Sequence, residues 1–386
     1  MTTKKLIKRL LLVSLATVFS GSILADKLSE SKSVDVSKLT GSDNQLLIQI
    51  APEKVAPARP NDPKKYPESD TRHWYDIEYA PQLYKELGKL PSPPKDGAMN
   101  KNVVVMVMGP HPYFEALMDG FNKIAEKYKW NVKTLDGNWS IATQKQQAEI
   151  VVNERPDMVF IIPTDTKAIA PILRRINKAG IPVFPFNGLP TESSQKYAIG
   201  WTGPDDWGQM RLLSQVFADK LNKKGGYAIV RHNPGSSPFF ARTFAPISEL
   251  TSYAPDMKLL DMAPGGFDAA KIQGLVGAWI TKYGKDLNGL ILAGDGVTMV
   301  GALEALKNAG REDIVVVAAG HSKVGLDAVR DGNAYAITMQ SANSDGAVVA
   351  AMGARWLNGE KIPRFTYLKQ HIITTDDVET FYPPQW

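Results

Sequence analysis

Aromatic and polar side chains recur where an apolar, strand-like run leads into a helical pattern. Residues 102–121 read NVVVMVMGPHPYFEALMDGF, and the turn in this stretch contains His111, Tyr113 and Phe114 together with two prolines. Ring faces pack on the C–H patches of a flat hydroxylated ligand, while side-chain donors and acceptors bind its hydroxyl groups. The composition of these turns therefore predicts a site for a sugar, a polyol or a similar small neutral solute. Comparable turns contain Trp139, Asn187, Phe239, Arg242, Phe267 and Asp295.

Several of these residues also have a purely structural interpretation. Tyr113 and Phe114 open a helix, so one of them could belong to the core. Asp295, in GDGV, stands where a helix N-cap belongs. Phe267 could be the hydrophobic staple of the helix that follows it. Arg242 lies within a predicted helix start and could be a solvated arginine, while His111 and His321 could be loop histidines without a partner.

The sequence lacks the motifs of the common enzyme and cofactor sites. It contains no His-Glu-x-x-His, G-x-S-x-G, G-x-x-x-x-G-K-[ST] or G-x-G-x-x-G, no cysteine, and five histidines. Asp205 and Asp206 are adjacent in a loop, where helix capping is a better interpretation than acid–base chemistry. We therefore expect neither catalysis nor a bound metal or other cofactor.

The first 25 residues have the layout of a secretory signal peptide. Four cations precede an apolar run that ends near Ala25, and this run is short and interrupted by serines. The net charge of +5 includes those four cations, which leaves about +1 for residues 26–386. We expect an exported, freely diffusing periplasmic protein that is not membrane-embedded, and a charge this small does not favour nucleic acid as a partner.

Residues 26–100, the arm, are polar and interrupted by prolines. Proline fixes φ and removes a hydrogen-bond donor, so the arm is not expected to form a domain of regular elements. It contains HWYDIEYAPQLYKEL at 73–87, which is rich in aromatic side chains. Two interpretations stay open: an arm that packs on its own parent fold, and a docking surface for a partner protein.

After residue 100, short apolar runs alternate with helical patterns of 10 to 18 residues. Such alternation predicts parallel sheets with right-handed crossovers. More than eight strands in about 285 residues indicate two sheets, with a seam in GWTGPDDWG at 200–208. The predicted strands are 102–108, 131–135, 157–162, 182–186, 227–230, 258–262, 289–293, 313–319 and 335–339.

Four segments in order resemble the type I periplasmic solute-binding proteins of the ribose and galactose importers. They are PYFEALMDGF, FIIPTDTKAIAPILRRINKAGIPV, GFDAAKIQGLV and AGDGVTMVGALEALKNAGREDIVVVA. The resemblance covers about 101–374 and implies an α/β fold of two Rossmann-like lobes joined by three crossovers, near 202–204, 340–341 and 368–370. It implies an N-terminal lobe of 101–202 plus 341–369 and a C-terminal lobe of 203–340 plus 370–386. It also implies a monomer that closes on its ligand and delivers it to an ABC permease.

The resemblance assigns roles at matching positions and reveals two departures. His111 matches the first polar contact, Tyr113 and Phe114 the stacking rings, and Gln340 the hinge glutamine. Where the family has an arginine and an aspartate, this chain has Gly188 and Gly320. The loss of two charged partners implies a ligand other than ribose. Further matches are Asn187 at an aspartate position, Arg242 at the arginine of the C-terminal lobe, Phe267 at an aromatic wall and Asp295 at an asparagine position.

A second resemblance gives an alternative partner. The segment TLDGNWSIATQKQQAEI at 134–150 and the arm around Trp74 are similar to the periplasmic partner of the trimethylamine-oxide sensor kinase. That protein shares the fold but signals to a histidine kinase. The alternative function is therefore a ligand-sensing periplasmic co-receptor of a membrane sensor histidine kinase, of the amine-oxide or autoinducer type. For the amine-oxide type, an aromatic pocket would hold a methylated amine by cation–π contacts.

Overall fold

The computed structural model describes residues 24–386, so the predicted signal peptide lies almost entirely outside the described residues. The strands after the arm confirm the predicted alternation, and all nine predicted runs contain a strand. Three short strands, β5, β11 and β12, had not been predicted. The strands are β1 (Asn102–Val107), β2 (Asn131–Asp136), β3 (Met158–Ile161), β4 (Val183–Pro185), β5 (Trp201–Gly203), β6 (Lys224–Arg231), β7 (Asp256–Pro264), β8 (Leu287–Leu292), β9 (Val315–Ala318), β10 (Ala336–Thr338), β11 (Phe365–Tyr367) and β12 (Ile372–Ile373).

Helices follow most of the strands and cover both faces of the sheets. Many begin at a capped residue, as where the Ser140 side chain accepts a hydrogen bond from the N–H of Thr143. From residue 75 onward, the helices are α1 (Tyr75–Glu78), α2 (Ala80–Leu83), α3 (Pro112–Lys127), α4 (Ile141–Glu154), α5 (Ala170–Lys178), α6 (Asp206–Lys220), α7 (Ser237–Tyr253), α8 (Ala269–Tyr283), α9 (Val297–Ala309), α10 (Lys323–Arg330) and α11 (Ala342–Leu357).

Two separate parallel sheets form the framework. The first has the order β2-β1-β3-β4, and β5 pairs with β11 beside it. The second has the order β12-β10-β9-β8-β6-β7, in which β12 runs antiparallel to β10. Apolar side chains fill both faces of each sheet, as parallel sheets require. The α/β fold of two parallel-sheet units is thereby confirmed.

The chain passes from one sheet to the other between β5 and α6, between β10 and α11, and between β11 and β12. We propose that the two units are the lobes: 101–202 plus 341–369, the N-terminal lobe, and 203–340 plus 370–386, the C-terminal lobe. Within residues 24–386 no helix is long and apolar enough to cross a bilayer.

The arm packs on both units. Leu47 is buried in the core of the N-terminal lobe, and the N–H of Ala51 donates to the carbonyl of Tyr367 on β11. Trp74 is buried against Phe244 of the C-terminal lobe, with ring centroids 4.0 Å apart. Trp74 of the arm thus packs on the parent fold.

Candidate ligand-binding site

A cavity of about 350 Å³ lies between the two lobes, at the carboxyl ends of the strands. Open α/β sheets bind ligands at this edge, because the strand-to-helix turns converge there. Nine of the ten residues selected from the sequence line it. They are His111, Tyr113, Phe114, Trp139, Asn187, Arg242, Phe267, Asp295 and Gln340.

Phe239 is the exception, and its selection as a ligand-contacting residue requires correction. Its ring lies over the guanidinium of Arg231, 3.9 Å from the ring centroid, and packs edge-on against Phe240. A cation held over an aromatic face is an attractive contact in itself. Phe239 therefore packs beside the end of β6 and does not line the cavity.

On the N-terminal lobe, Tyr113 lies at the centre of a buried hydrogen-bond cluster. Its hydroxyl donates to Oδ2 of Asp345 at 2.8 Å, and Nδ2 of Asn187 donates to the same oxygen at 2.5 Å. Nε2 of Gln340 donates to the Tyr113 hydroxyl at 3.2 Å. The Tyr113 hydroxyl thus has protein partners, which leaves the ring as the part of Tyr113 that a ligand can contact.

Asp345 is fully buried, and its other carboxylate oxygen, Oδ1, is buried without a partner in the described structure. Burial raises the pKa of Asp345 to about 7, against the opposing effect of the hydrogen bonds from Asn187 and Tyr113, and the charge of Asp206 raises it further. Its partners on the N-terminal lobe are all neutral. Sequence reasoning missed Asp345 because an acidic residue in the first turn of a helix is common, and its contacts with Tyr113 and Asn187 exist only in the folded chain.

On the C-terminal lobe, Arg242 is neutralised by Asp206. Nε of Arg242 donates to Asp206 Oδ1 at 2.7 Å, and both side chains are 8% exposed. Its remaining nitrogens donate to the carbonyl of Ala293 at 2.9 Å and to Oε1 of Gln340 at 2.7 Å. Gln340, at the second crossing between lobes, thus connects Arg242 to Tyr113. The capping interpretation holds for Asp205, which accepts from the N–H of Gly208, but is wrong for Asp206.

Asp295 is buried at the end of β8 and does not cap α9, whose N-cap is Gly296. Its Oδ2 accepts from the N–H of Ser322 at 2.7 Å. A Cβ at Gly320 would lie 2.0 Å from Asp295 Oδ1, so Asp295 occupies the space that a side chain at 320 would need. Burial raises the pKa of Asp295 to about 6, and the hydrogen bonds from Ser322 oppose this rise.

Aromatic rings from both lobes meet at the cavity. Trp139 and Phe267 are 40% and 45% exposed, and their ring centroids lie 5.7 Å apart across the lobes. A Cβ at Gly109 would lie 2.5 Å from the indole of Trp139, so only glycine lets this ring pack over the turn after β1. Phe114 lies 6.0 Å from Trp139. Large ring faces are therefore available to a ligand.

Two imidazoles line the same cavity. His111 is the N-cap of α3, and its Nδ1 accepts from the N–H of Tyr113. His232, which follows β6, makes a 3.0 Å hydrogen bond between Nδ1 and Oγ of Ser236. His321 does not line the cavity, because its ring is buried edge-on against Phe381. His232 had not been selected from the sequence, since it lies five residues ahead of α7 with no motif around it.

The indole of Trp386 also lines the cavity, 5.5 Å from the rings of both His111 and Tyr113. Lys323 donates its N–H to the carbonyl oxygen of Trp386, and Gln385 binds Ser341 and Asp43 of the arm. No sequence pattern placed this residue in the site, because it is brought there by packing of the tail. In the described part of the chain, no three His, Asp or Glu side chains converge as metal ligands.

Comparisons with known proteins identify the family. A periplasmic binding protein domain matches residues 102–361, well over half of the chain. The xylitol-binding protein of Mycolicibacterium smegmatis is 26% identical over 251 residues, 65% of this chain and 69% of that protein. The ribose import binding protein of Escherichia coli is 25% identical over 269 residues, 69% of this chain and 88% of that protein.

Solved structures agree on the fold. An ABC transporter solute binding protein from Bacillus halodurans, crystallised with bound myo-inositol, superposes with a TM-score of 0.69 at 20% identity, covering 75% of this chain and 99% of that one. The members of this family are solute-binding proteins of the periplasm and not enzymes. The chain belongs to the periplasmic binding protein family.

Proposed function

We propose that the protein captures a small neutral hydroxylated solute, a sugar or a polyol, between its two lobes by hinge closure. The observation that carries this proposal is the chemistry of the interlobe cavity. Its walls combine exposed ring faces with hydrogen-bonding side chains, and the arginine among its described lining residues, Arg242, is already paired with Asp206. Such a cavity suits C–H faces and hydroxyl groups better than an anion.

The cavity volume agrees with a ligand of monosaccharide size. About 350 Å³ lies at the lower end of the range usual for small-molecule sites, roughly 300 to 1,000 Å³. The relatives named for xylitol and ribose, and the structure with bound myo-inositol, support a polyhydroxylated ligand. Because Gly188 and Gly320 replace two charged contacts of the ribose-binding pattern, we propose a ligand other than ribose.

Delivery of the ligand to an ABC permease follows from the names of the importers among the relatives. We propose that the protein is exported by its N-terminal signal peptide, acts as a monomer in the periplasm, and catalyses no reaction. Closure of the lobes would then report occupancy to the membrane partner.

A thermal-shift screen over pentoses, hexoses, pentitols, inositols and trimethylamine N-oxide tests this function. A ligand present at 100 times its Kd adds about 2.7 kcal/mol to the free energy of unfolding, which gives a clear rise in Tm. We expect the rise with a hydroxylated compound. A response to the amine oxide and to none of the sugars or polyols would contradict the proposal and favour the sensor-kinase alternative.

A further inference from the structure

Two imidazoles from opposite lobes flank one aromatic ring in the cavity. His111 of the N-terminal lobe and His232 of the C-terminal lobe each lie 5.6 Å from the ring of Phe267, measured between centroids. Both line the cavity. A neutral imidazole has one nitrogen that donates and one that accepts, so its role toward a ligand depends on which nitrogen the protein already uses.

The protein uses Nδ1 of His111 as an acceptor. This atom accepts a hydrogen bond from the backbone N–H of Tyr113 at 3.1 Å, as an N-cap side chain does. A backbone N–H can only donate, so Nδ1 carries the lone pair. The proton of the neutral ring is then on Nε2, which makes His111, a lining residue of the cavity, a hydrogen-bond donor at that nitrogen.

The protein uses Nδ1 of His232 as a donor. Its partner, Oγ of Ser236, gives its single hydrogen to the carbonyl of Asn233 at 2.8 Å and must therefore accept from His232. The proton of His232 is on Nδ1, and Nε2 carries the lone pair. His232, which also lines the cavity, is therefore an acceptor at Nε2, the opposite role to that of Nε2 of His111.

Both rings are held in the neutral form that these roles require. Burial lowers the pKa of His232 to about 3, and the nearby charge of Arg242 lowers it further. Burial also lowers the pKa of His111, against the opposing charge of Glu115. The helix N-terminus at His111 disfavours a positive charge in addition. The donor and the acceptor therefore keep their identities at neutral pH.

We propose that His111 and His232 form a donor–acceptor pair that recognises ligand hydroxyl groups and rejects ligands that can only accept hydrogen bonds. A hydroxyl group can satisfy both imidazoles, because it accepts from His111 Nε2 and donates to His232 Nε2. An amine oxide or an ether satisfies His111 alone and leaves the lone pair of His232 desolvated and unpaired. A site that buries an unpaired polar group discriminates strongly against such a ligand.

This role explains how the site can bind hydroxyl groups after its charged contacts are lost. The Tyr113 hydroxyl and the guanidinium of Arg242 are engaged within the protein, and positions 188 and 320 have no side chain. The inference rests on the proposed function, since it specifies the chemistry of the same ligand. Because one imidazole comes from each lobe, the pair also favours a ligand that is bound by both lobes at once.

Matched variants at His111 test the donor. Aspartate and asparagine both retain an oxygen that can cap α3, but only asparagine offers an N–H group to the ligand. With D-ribose, xylitol and myo-inositol as probes in titration calorimetry, we expect His111→Asn to bind within about threefold of the unchanged protein. We expect His111→Asp to bind with at least tenfold lower affinity, a loss of about 1.4 kcal/mol in binding free energy, while its Tm is unchanged or higher.

A second pair of variants tests the acceptor. His232→Gln retains an oxygen acceptor near the cavity, whereas His232→Leu has none. We expect His232→Leu to bind the best hydroxylated probe with at least tenfold lower affinity. We also expect the ratio of its affinities for that probe and for trimethylamine N-oxide to become smaller than in the unchanged protein. His232→Gln should keep most of the affinity. If His232→Leu fails to fold, the His111 pair still decides whether the donor is used.

The outcomes separate the inference from the function beneath it. If a hydroxylated probe binds but His111→Asp and His232→Leu bind it equally well, the histidine pair is wrong and the proposed function stands. If trimethylamine N-oxide binds as tightly as the best hydroxylated probe, the proposed rejection of ligands that can only accept hydrogen bonds is wrong. If only the amine oxide binds, both proposals fail together.

Discussion

Asp206 and Asp345 are buried on opposite sides of the cleft, and the two lobes stabilise these carboxylates by different means. In the C-terminal lobe, Asp206 forms a 2.7 Å ion pair with Arg242. In the N-terminal lobe, Asp345 receives hydrogen bonds from Tyr113 and Asn187, and neither of these carries a charge. The two clusters meet at Gln340, which accepts from Arg242 and donates to Tyr113.

The difference indicates how the cleft can be both rigid and selective for neutral ligands. A buried carboxylate without a cation tends to hold its proton, so Asp345, with a pKa of about 7, carries less than a full negative charge near neutral pH. On the opposite wall, the positive charge is balanced by Asp206 before any ligand arrives. The charges of Asp345 and Arg242 are thus reduced or balanced within the protein, and Asp295, whose pKa is about 6, is the lining carboxylate that is mostly ionised at neutral pH.

The largest expected effect comes from separating the ion pair. Arg242→Met leaves the Asp206 charge buried and unpaired, which should lower the free energy of unfolding by about 3 to 5 kcal/mol in urea titrations without ligand. The double variant Asp206→Leu with Arg242→Met should lose less stability than Arg242→Met alone, because no unpaired buried charge remains. The matched control is Arg175→Met, which removes an exposed pair with Glu149 and should cost at most about 1 kcal/mol. A loss this small for Arg242→Met would show that the pair is not desolvated.

The next effect is a pH dependence from the N-terminal wall. The pKa of Asp345 is about 7 in the fold and near 3.8 for an unperturbed aspartate. Below pH 3.8 both states are protonated. As pH rises toward 7 the unfolded chain loses its proton while native Asp345 keeps it, so stability falls, and above pH 7 the contribution is constant.

Comparison with Asp345→Asn isolates this contribution, because Asn cannot titrate. Between pH 4 and pH 7.5, we expect the free energy of unfolding of the unchanged protein to fall by about 2 to 4 kcal/mol relative to that of Asp345→Asn. Equal pH profiles for the two proteins would mean that Asp345 is ionised in the fold and that the contrast between the walls is wrong.

A smaller effect separates the hydroxyl of Tyr113 from its ring. Tyr113→Phe removes the bond to Asp345 and leaves the acceptor buried, which should cost about 1 to 3 kcal/mol of stability. Because the hydroxyl is engaged within the protein, ligand affinity should stay within about threefold. Tyr113→Ala removes the ring as well and should weaken binding at least tenfold. Calorimetric titration of the two variants checks whether the ring or the hydroxyl contacts the ligand.

The smallest effect concerns Asp295 of the C-terminal wall. Asp295→Ala should weaken ligand binding about tenfold, or about 1.4 kcal/mol, because a buried hydrogen-bonding group of the cavity is lost. Asp313→Ala removes an exposed carboxylate outside the cavity and serves as its control. Unchanged affinity in Asp295→Ala would remove this residue from the proposed contacts.

Much of the framework could be predicted from local patterns. The strands at 102–108 and 289–293 are apolar runs, and the helices after them show the 3.6-residue period, so their order implies parallel sheets. The short strands β5, β11 and β12 could not be recognised, because two or three residues carry no periodicity. The rings at Tyr113, Trp139 and Phe267 could be placed at the cleft because each follows a strand.

The sequence by itself therefore determined the two α/β units and the turns that would meet between them, since periodicity and turn chemistry act over a few residues. Only the tertiary structure decided which polar groups pair there. Asp345 lies 232 residues from Tyr113 and 158 from Asn187, and Trp386 reaches the cavity through packing of the tail. Hydrogen-bond partners of this kind depend on distances in space, and no local pattern encodes them. For the same reason, the pairing of Asp206 with Arg242 and the opposite roles of His111 and His232 could not be predicted from the sequence.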